Sequence, residues 1–166
     1  YKEHEVEGIL ADYRKVFEAE LVDFCDNPRI KMPKRMQDAM FYSLTAGGKR
    51  LRPILCLAVA ERCGISPERA MPMALALEMI HTASLIHDDL PCMDDDMMRR
   101  GKASTWAEYG EDIGVLTGDA LMMFAFETAA NAFETSIDPD ELSRIGRAMG
   151  ILAHKTGVYG MIGGQT

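Results

Sequence analysis

The chain has 166 residues, of which 48% are hydrophobic and 27% charged, and its formal net charge is −8. This length is enough for one domain with a substantial core, and the composition is that of a folded protein rather than of a disordered one. The acidic balance argues against nucleic acid as a partner. It also disfavours anionic substrates, unless metal ions mediate their binding.

Cysteine usage and the chain ends predict the cellular context. The four cysteines form no C-x-x-C pair, so we expect reduced thiols in a cytoplasmic protein. The charged start, YKEHEVEGIL, lacks the apolar segment of a signal peptide, and no apolar run approaches the roughly 20 residues of a membrane span. The chain has no initiator Met and stops inside YGMIGGQT, so we expect it to be a piece of a longer protein.

Helical patterns extend through nearly the whole chain. Apolar residues recur every three or four positions from Glu7 to Cys25. Ser66 is an N-cap candidate, with Pro67 at the first helical position. Similar signals predict helices at about residues 35–45, 53–63, 73–90, 112–132 and 139–153. Strand-like alternation and repeats are absent, so the predicted fold class is an all-α helical bundle.

One segment, HDDLPCMDDDMMRRG, packs five aspartates into nine residues. Two carboxylates about 4 Å apart repel each other by roughly 4 kcal/mol at an effective dielectric of about 20, so the cluster is either splayed into water or gathered around a cation. In an unbroken helix Asp88 and Asp94 would lie about 120° apart, but Pro91 ends the helix and lets Asp94 return toward Asp88. Hard oxygen ligands suit Mg²⁺ that shares its shell with phosphate, whereas the EF-hand spacing is absent.

Basic residues flank this acidic segment. AGGKRLRP places Lys49 and Arg52 on one side of a helical turn beside two glycines that allow close approach of a ligand. Arg99 and Arg100 form a second basic pair just beyond the aspartates. Arg can bind phosphate with two parallel hydrogen bonds, although the segment does not match a Walker loop. The alternatives are a helix end with solvated charges and simple charge balance of the acidic run.

A histidine connects the two clusters. His81 precedes Asp88 by seven residues, so both side chains project from one helix face, although a core or surface histidine is the alternative. Carboxylates for Mg²⁺ beside cations for phosphate suit two diphosphates that are handled differently. One would be bridged by metal ions and ionised, and the other would be held by Lys, Arg and His.

Four segments together resemble the trans (head-to-tail) isoprenyl diphosphate synthases, which include farnesyl and geranylgeranyl diphosphate synthases. They are GGKRLRP, MIHTASLIHDDLPCMDDDMMRRGK, YGEDIGVLTGDAL and GMIGGQ, in the family's order from about Phe41 onward. The D-D-x-x-x-x-D form resembles the bacterial and plastid branch. The resemblance implies an all-α isoprenoid synthase fold around a central cavity, usually as a homodimer. Residues 1–166 would then be the incomplete N-terminal part of a single prenyltransferase domain.

The resemblance also implies residue roles. Asp88 and Asp94, supported by Asp89, would hold a set of two or three Mg²⁺ ions, for which Mn²⁺ can substitute. Arg99 would contact the allylic diphosphate, and Gln165, the glutamine of the family's G-Q element, would bind near the allylic substrate. Four residues would bind isopentenyl diphosphate: Lys49, Arg52, His81 and Arg100.

The implied reaction belongs to isoprenoid biosynthesis. Isopentenyl diphosphate would condense with dimethylallyl, geranyl or farnesyl diphosphate to give farnesyl or geranylgeranyl diphosphate. Mg²⁺ would assist loss of the allylic diphosphate, the double bond of isopentenyl diphosphate would attack the cation, and loss of a proton would complete the reaction in a cavity that excludes water.

Two small residues predict the length of the product. Ala83 and Ser84 lie about one turn before Asp88 at the wall of the tail channel. In the family an aromatic ring at this level tends to stop growth at fifteen carbons, so small residues favour twenty. Met122, Met123 and Phe124 are the alternatives for a residue that closes the floor.

The family's second aspartate-rich motif and its Lys-Thr element are absent from these residues. Lys155 and Thr156 precede GGQ, whereas the family's element follows it, so we treat Lys155 as a surface lysine. We therefore expect little or no turnover from the 166 residues alone. A terpene cyclase would not need the second diphosphate site. The main alternative is a non-catalytic partner subunit of a heteromeric synthase, and the simplest is an acidic helical interaction domain.

Overall fold

A computed structural model describes residues 3–166, with side chains from residue 4. The first two residues of the charged N-terminal segment lie outside this range. Within the described residues the chain forms seven α-helices and one short hairpin. The helices are α1 (Glu3–Cys25), α2 (Lys34–Leu44), α3 (Leu51–Arg62), α4 (Pro67–Asp88), α5 (Thr105–Tyr109), α6 (Glu111–Ala130) and α7 (Pro139–Thr156), and the hairpin pairs β1 (Met98–Arg99) with β2 (Lys102–Ala103).

The core forms where α4 packs against α6. Alanines on α4 and glycines and alanines on α6 let the two helix backbones approach closely, and eleven residues of α4 are buried. Met79 is fully buried here, and its sulfur accepts a hydrogen bond from the Thr128 hydroxyl at 3.6 Å. Because α4 is buried on most sides, its position fixes that of the residues at its C-terminal end.

The other helices surround this pair. Phe17 and Leu21 attach α1 to the core, and Met40 and Leu44 attach α2. The amphipathic helix α7 contributes one buried residue, Leu152. Site residues therefore lie on the inner helices and on the loops between them.

The all-α prediction is confirmed, and one local expectation is wrong. Helix α4 begins at Pro67 with Ser66 at its N-cap, as predicted, and so extends six residues before the periodic stretch that starts at residue 73. Pro72 lies inside the helix, in its second turn, where it removes one backbone donor. The expected absence of strands fails between Met98 and Ala103. There Arg100 and Gly101 have φ angles of 52° and 77°, the left-handed pair that joins antiparallel strands in a two-residue turn.

Two further properties bear on context. All four cysteines are free, and burial raises the pKa of Cys25 to about 11. Among the described residues, one helical segment, Glu111–Phe133, is long and apolar enough to cross a membrane by length and composition. Much of it packs against α4, and core helices of this kind pass the same test.

We expect replacement of Gly118 by Ala to destabilise the fold. A Cβ at Gly118 would lie 2.1 Å from His87 Nε2, so either the ring or the backbone must move. The free energy of unfolding, measured by chemical denaturation, should fall by about 1–3 kcal/mol.

The matched control is Gly146→Ala on α7, where an added Cβ would meet no atom within 4 Å. That variant should be as stable as the parent or more stable by about 0.5–1 kcal/mol, because Ala favours helix over Gly. Equal effects of the two substitutions would contradict the packing described here.

Candidate active site

Helix α4 supports two different ionic sites. His81 lies near the middle of its second half and faces a basic pocket, whereas Asp88 ends the helix at the acidic loop. The seven residues between them correspond to about two helical turns, or roughly 10 Å along the axis. One rigid element therefore fixes the spacing between a cation-rich site and a carboxylate-rich site.

The basic pocket has a volume of about 490 Å³. Its cationic and imidazole groups come from the start of α3, from α4 and from the hairpin turn. All four residues predicted to bind isopentenyl diphosphate line it, namely Lys49, Arg52, His81 and Arg100. Parts of the chain that are distant in sequence thus form one site of a size and charge suited to a diphosphate.

The hairpin turn closes one side of this pocket. Arg100 donates a hydrogen bond from its guanidinium to the Gly47 carbonyl. The same guanidinium lies over Gly48, where an added Cβ would come within 2.9 Å of it. Glycine at position 48 is therefore required for this close approach, and its φ of 139° also disfavours other residues.

Basic groups of the pocket lie close enough together to disfavour the charged forms of His81 and Arg100. Burial lowers the pKa of His81, and the charge of Arg52 lowers it further. Burial and the charge of Arg50 likewise lower the pKa of Arg100. A bound anion would relieve this repulsion between cationic groups.

The acidic loop turns back on the end of α4. The Asp94 amide donates to the Asp88 carbonyl at 2.8 Å, and the Asp96 amide donates to the Asp89 carbonyl at 3.1 Å. Asp95, with a φ of 56°, makes the reversal between them. The Trp106 ring nitrogen donates to the Asp96 carbonyl at 2.9 Å and joins the loop to α5. Pro91 thus ends the helix as predicted, and Asp94 returns to Asp88.

Asp88 is electrostatically disfavoured as an anion. Burial raises its pKa, and the nearby charge of Asp94 raises it further. Within residues 3–166, no group of three or more His, Cys, Asp or Glu side chains is arranged to hold a metal ion. Mg²⁺, however, is commonly held through one or two carboxylates, with water and substrate phosphate completing the shell. The Asp88 and Asp94 pair fits that donor set.

Asp89 and Arg99 are paired with each other. Asp89 is 1% exposed, and its two oxygens accept three hydrogen bonds of 2.7–3.0 Å from Arg99. These bonds raise the pKa of Arg99. Arg99 lines neither the basic pocket nor the apolar pocket at the end of α4, so in this structure the pair holds the hairpin against α4.

An apolar pocket of about 520 Å³ opens beside Asp88. The Gln165 amide donates to the Asp88 carboxylate at 2.7 Å at its mouth. Of the two predicted wall residues, Ser84 lines this pocket, whereas Ala83 is fully buried in the core and does not. Met122 is the one floor candidate that lines it: Met123 is 69% exposed, and the Phe124 ring packs 5.5 Å from Phe24.

Sequence reasoning missed two polar residues of this pocket, His87 and Asp119. His87 Nε2 lies 3.0 Å from the Val115 carbonyl and 3.6 Å from the Asp119 carboxylate. His87 directly precedes the aspartates, and Asp119 stands in LTGDAL, so both lie in segments already singled out. The spacing of His87 and Asp119 in the sequence does not indicate that their side chains face this pocket.

Comparison with known proteins places these features in a family. The family model described as Polyprenyl synthetase matches residues 33–161. A relative from Arabidopsis thaliana, named heterodimeric geranylgeranyl pyrophosphate synthase large subunit 1, chloroplastic, is 53% identical over 136 residues, which are 82% of this chain and 36% of that protein.

Two solved structures are similar over nearly the whole chain. A geranyltransferase from Legionella pneumophila has a TM-score of 0.87 at 31% identity, with coverage of 96% of this chain and 54% of that one. An FPP/GFPP synthase from Zymomonas mobilis has a TM-score of 0.74 at 38% identity, with coverage of 98% and 55%. The chain thus spans about a third to a half of the length of these relatives. With a matching family model over most of its residues and a matching fold, the chain belongs to the polyprenyl synthetase family.

Proposed function

We propose that the protein is a short-chain trans-prenyltransferase that condenses isopentenyl diphosphate with an allylic diphosphate. The observation that carries this proposal is that α4 supports two unlike sites. One is the basic pocket at His81, and the other is the carboxylate pair at Asp88. An enzyme that joins two diphosphates but ionises only one of them needs two such unlike sites.

Isopentenyl diphosphate would occupy the basic pocket. Lys49 and Arg52 are exposed at its rim, and Arg100 closes the hairpin side. Ionic hydrogen bonds from Lys and Arg retain a diphosphate without activating it, because no Lewis acid pulls on its bridging oxygen. This substrate would therefore keep its leaving group while its double bond reacts.

The allylic diphosphate would lie at the acidic loop, with its hydrocarbon tail in the apolar pocket. Asp88 and Asp94 would hold Mg²⁺, and Gln165 would contact the same region. Mg²⁺, when bound, supplies Lewis acidity toward the leaving diphosphate. Asp89 would act through Arg99, to which it is hydrogen-bonded, and Arg99 would face the allylic diphosphate only with its remaining donors.

The condensation balances without a redox partner. The allylic C–O bond breaks and its electron pair leaves with diphosphate; the double bond of isopentenyl diphosphate then forms the new C–C bond. A proton is lost to the departing diphosphate, which restores a double bond. Helix walls such as those of α4 and α6 keep water from the cationic carbon.

We propose geranylgeranyl diphosphate as the product, with farnesyl diphosphate as the alternative. Ser84 and Met122 line the apolar pocket, and none of its lining residues is Phe, Tyr or Trp. Dimethylallyl, geranyl and farnesyl diphosphates are then the candidate allylic substrates. The names of the relatives include both a geranylgeranyl and an FPP/GFPP synthase, so the product length of this protein depends on its own pocket.

The alternative function is that of a non-catalytic partner subunit in a heteromeric synthase. One relative is named as the large subunit of a heterodimeric enzyme, which keeps this alternative in view. The intact pair of Asp88 and Asp94 favours the catalytic function. Purified full-length protein that bound pyrophosphate but condensed no substrates alone would favour the partner subunit. We also propose that the protein is a homodimer and that it is cytoplasmic. The Arabidopsis relative differs in location, because it is named as chloroplastic.

We expect Asp88→Asn and Asp94→Asn to lower kcat of the full-length protein by at least about a hundred-fold. Either change removes a charge that would hold the cation, and Lewis acidity contributes several kcal/mol to such a reaction. Turnover is measured as diphosphate released with isopentenyl and geranyl diphosphates at saturating Mg²⁺.

The matched control is Asp95→Asn in the same loop. It removes the same charge, and Asn tolerates the left-handed backbone that Asp95 adopts. We expect activity within about two-fold of the parent. Equal losses in all three variants would show that only the net charge of the loop matters.

A second prediction concerns pH. The lowered pKa of His81 leaves it neutral near pH 7, and a bound diphosphate should raise that pKa. Binding of isopentenyl diphosphate should therefore take up protons. The affinity should increase as the pH falls through the pKa of His81 in the complex, and it should become constant below the pKa of His81 in the free protein. Calorimetric titration in buffers of different ionisation enthalpy measures this uptake.

The His81→Gln variant serves as the control because its side chain does not titrate. It should bind with no proton uptake above that of the phosphate groups themselves. Unchanged uptake in this variant would contradict the placement of His81 at the diphosphate.

A third prediction concerns the product. Ser84→Phe should shorten the main product of the full-length protein by at least one five-carbon unit, because the ring would fill the apolar pocket beside Asp88. Chromatography of the dephosphorylated products measures chain length. Met123→Phe, on the exposed side of α6, should leave the product unchanged. A Ser84→Phe enzyme with the parent's product would show that the tail lies elsewhere.

A further inference from the structure

Three basic residues follow each other closely in GGKRLRP, and one of them is buried. Lys49 and Arg52 are exposed, whereas the Arg50 side chain is 0% exposed although its residue lines the basic pocket. Its guanidinium is therefore out of reach of a ligand in the pocket.

The donors of Arg50 are already engaged by protein groups. Its Nε donates to Glu18 at 2.6 Å, one terminal nitrogen donates to Glu78 at 2.8 Å, and the other donates to the Leu44 carbonyl at 2.8 Å. The second terminal nitrogen also lies 3.4 Å from Glu18. Four of the five N–H donors of a guanidinium are thus accounted for.

Arg50 and its three partners belong to four different parts of the fold. Glu18 lies on α1, the Leu44 carbonyl ends α2, Glu78 lies on α4, and Arg50 itself is the N-cap of α3. Glu78 is 2% exposed and precedes His81 by three residues on α4. One guanidinium therefore fixes the glycine loop relative to the helix that carries the histidine.

The backbone at Arg50 requires such a support. Its φ of 53° and ψ of 31° are left-handed, a conformation that residues with a Cβ rarely adopt, and Gly47 and Gly48 before it also have positive φ. Lys49 precedes this residue and Arg52 follows it by two positions, so the left-handed turn sets the directions of both.

We propose that Arg50 is a positioning residue, which holds the loop so that Lys49 and Arg52 converge with His81 on one diphosphate. The bonds to Glu18, Glu78 and the Leu44 carbonyl supply this function, and the positive charge of Arg50 does not. This inference rests on the proposed function of the basic pocket and goes beyond it by assigning a role to the buried ion cluster behind that pocket.

A role of Arg50 through its charge and a role through positioning predict opposite changes in pyrophosphate affinity for one substitution. Glu18 is 37% exposed, so Glu18→Ala should fold, and it removes a negative charge near a pocket for anions. If Arg50 acted only by its charge, this variant would bind pyrophosphate more tightly. If Arg50 holds the loop, loss of the Glu18 oxygens frees the guanidinium, and binding should weaken by about three- to ten-fold.

The experiment is calorimetric titration of the full-length protein with inorganic pyrophosphate in the presence of EDTA, so that only the metal-independent site is measured. Glu18→Gln keeps an acceptor oxygen for Arg50 and should bind nearly as tightly as the parent. Arg50→Lys keeps the positive charge but loses the planar guanidinium with its several donors, and this variant should bind pyrophosphate about ten-fold more weakly. Glu20→Ala, an exposed residue on the same helix, is the control and should match the parent.

A kinetic readout separates positioning from general destabilisation. In Glu18→Ala the KM for isopentenyl diphosphate should rise by the same factor as the pyrophosphate Kd, with kcat and the KM for the allylic substrate unchanged. Equal or tighter pyrophosphate binding by Glu18→Ala, or full binding by Arg50→Lys, would overturn the inference while leaving the proposed function intact. A parent protein that bound no pyrophosphate in EDTA would overturn both. If Arg50→Lys failed to fold, the Glu18 pair alone would decide.

Discussion

The site depends on the repulsion between two carboxylates that the fold brings together and does not neutralise. Asp88 ends a helix buried on most sides, and the backbone bond from the Asp94 amide to the Asp88 carbonyl returns Asp94 to it. Burial and this neighbour raise the pKa of Asp88, and a cation bound beside it would favour its ionised form. The adjacent Asp89 differs because Arg99 already neutralises it. The loop thus separates a structural carboxylate from two that are available to a metal ion.

The basic pocket shows the same principle with the sign reversed. Basic residues from three segments meet there, and the pKa values of two of them, His81 and Arg100, are lowered. The buried cluster of Arg50 with Glu18 and Glu78 lies behind them, and its charges are compensated. In the proposed function, an acidic protein would bind two diphosphates, one through its own cations and one through divalent ions held by its carboxylates.

Sequence patterns predicted most of the helices and most of the residues that converge at the site. The 3.6-residue period located α1, α4 and α6, and Ser66 with Pro67 marked the start of α4. The hairpin was not predicted because strands of two residues are too short to show alternation of apolar and polar residues. Its left-handed turn involves only Arg100 and Gly101. The motif segments contained the site because their residues are chemically specific, not because their spacing defines a geometry.

The direction of each side chain was harder to predict than which segments form the site. Ala83 and Ser84 are neighbours, yet about 100° of helical rotation sends one into the core and the other to the apolar pocket. Likewise Lys49, Arg50 and Arg52 carry the same charge in sequence, and only the left-handed turn distinguishes the buried one. The phase of a helix and the conformation of a loop depend on tertiary packing, which a single sequence does not specify.

In the proposed function, two diphosphates bind by different means, one of them through metal ions. The most direct test is the binding stoichiometry of pyrophosphate on the full-length protein, measured by equilibrium dialysis with and without Mg²⁺. We expect one bound pyrophosphate per chain in EDTA and a second that requires both Mg²⁺ and the carboxylates of Asp88 and Asp94. The same stoichiometry under both conditions would contradict it.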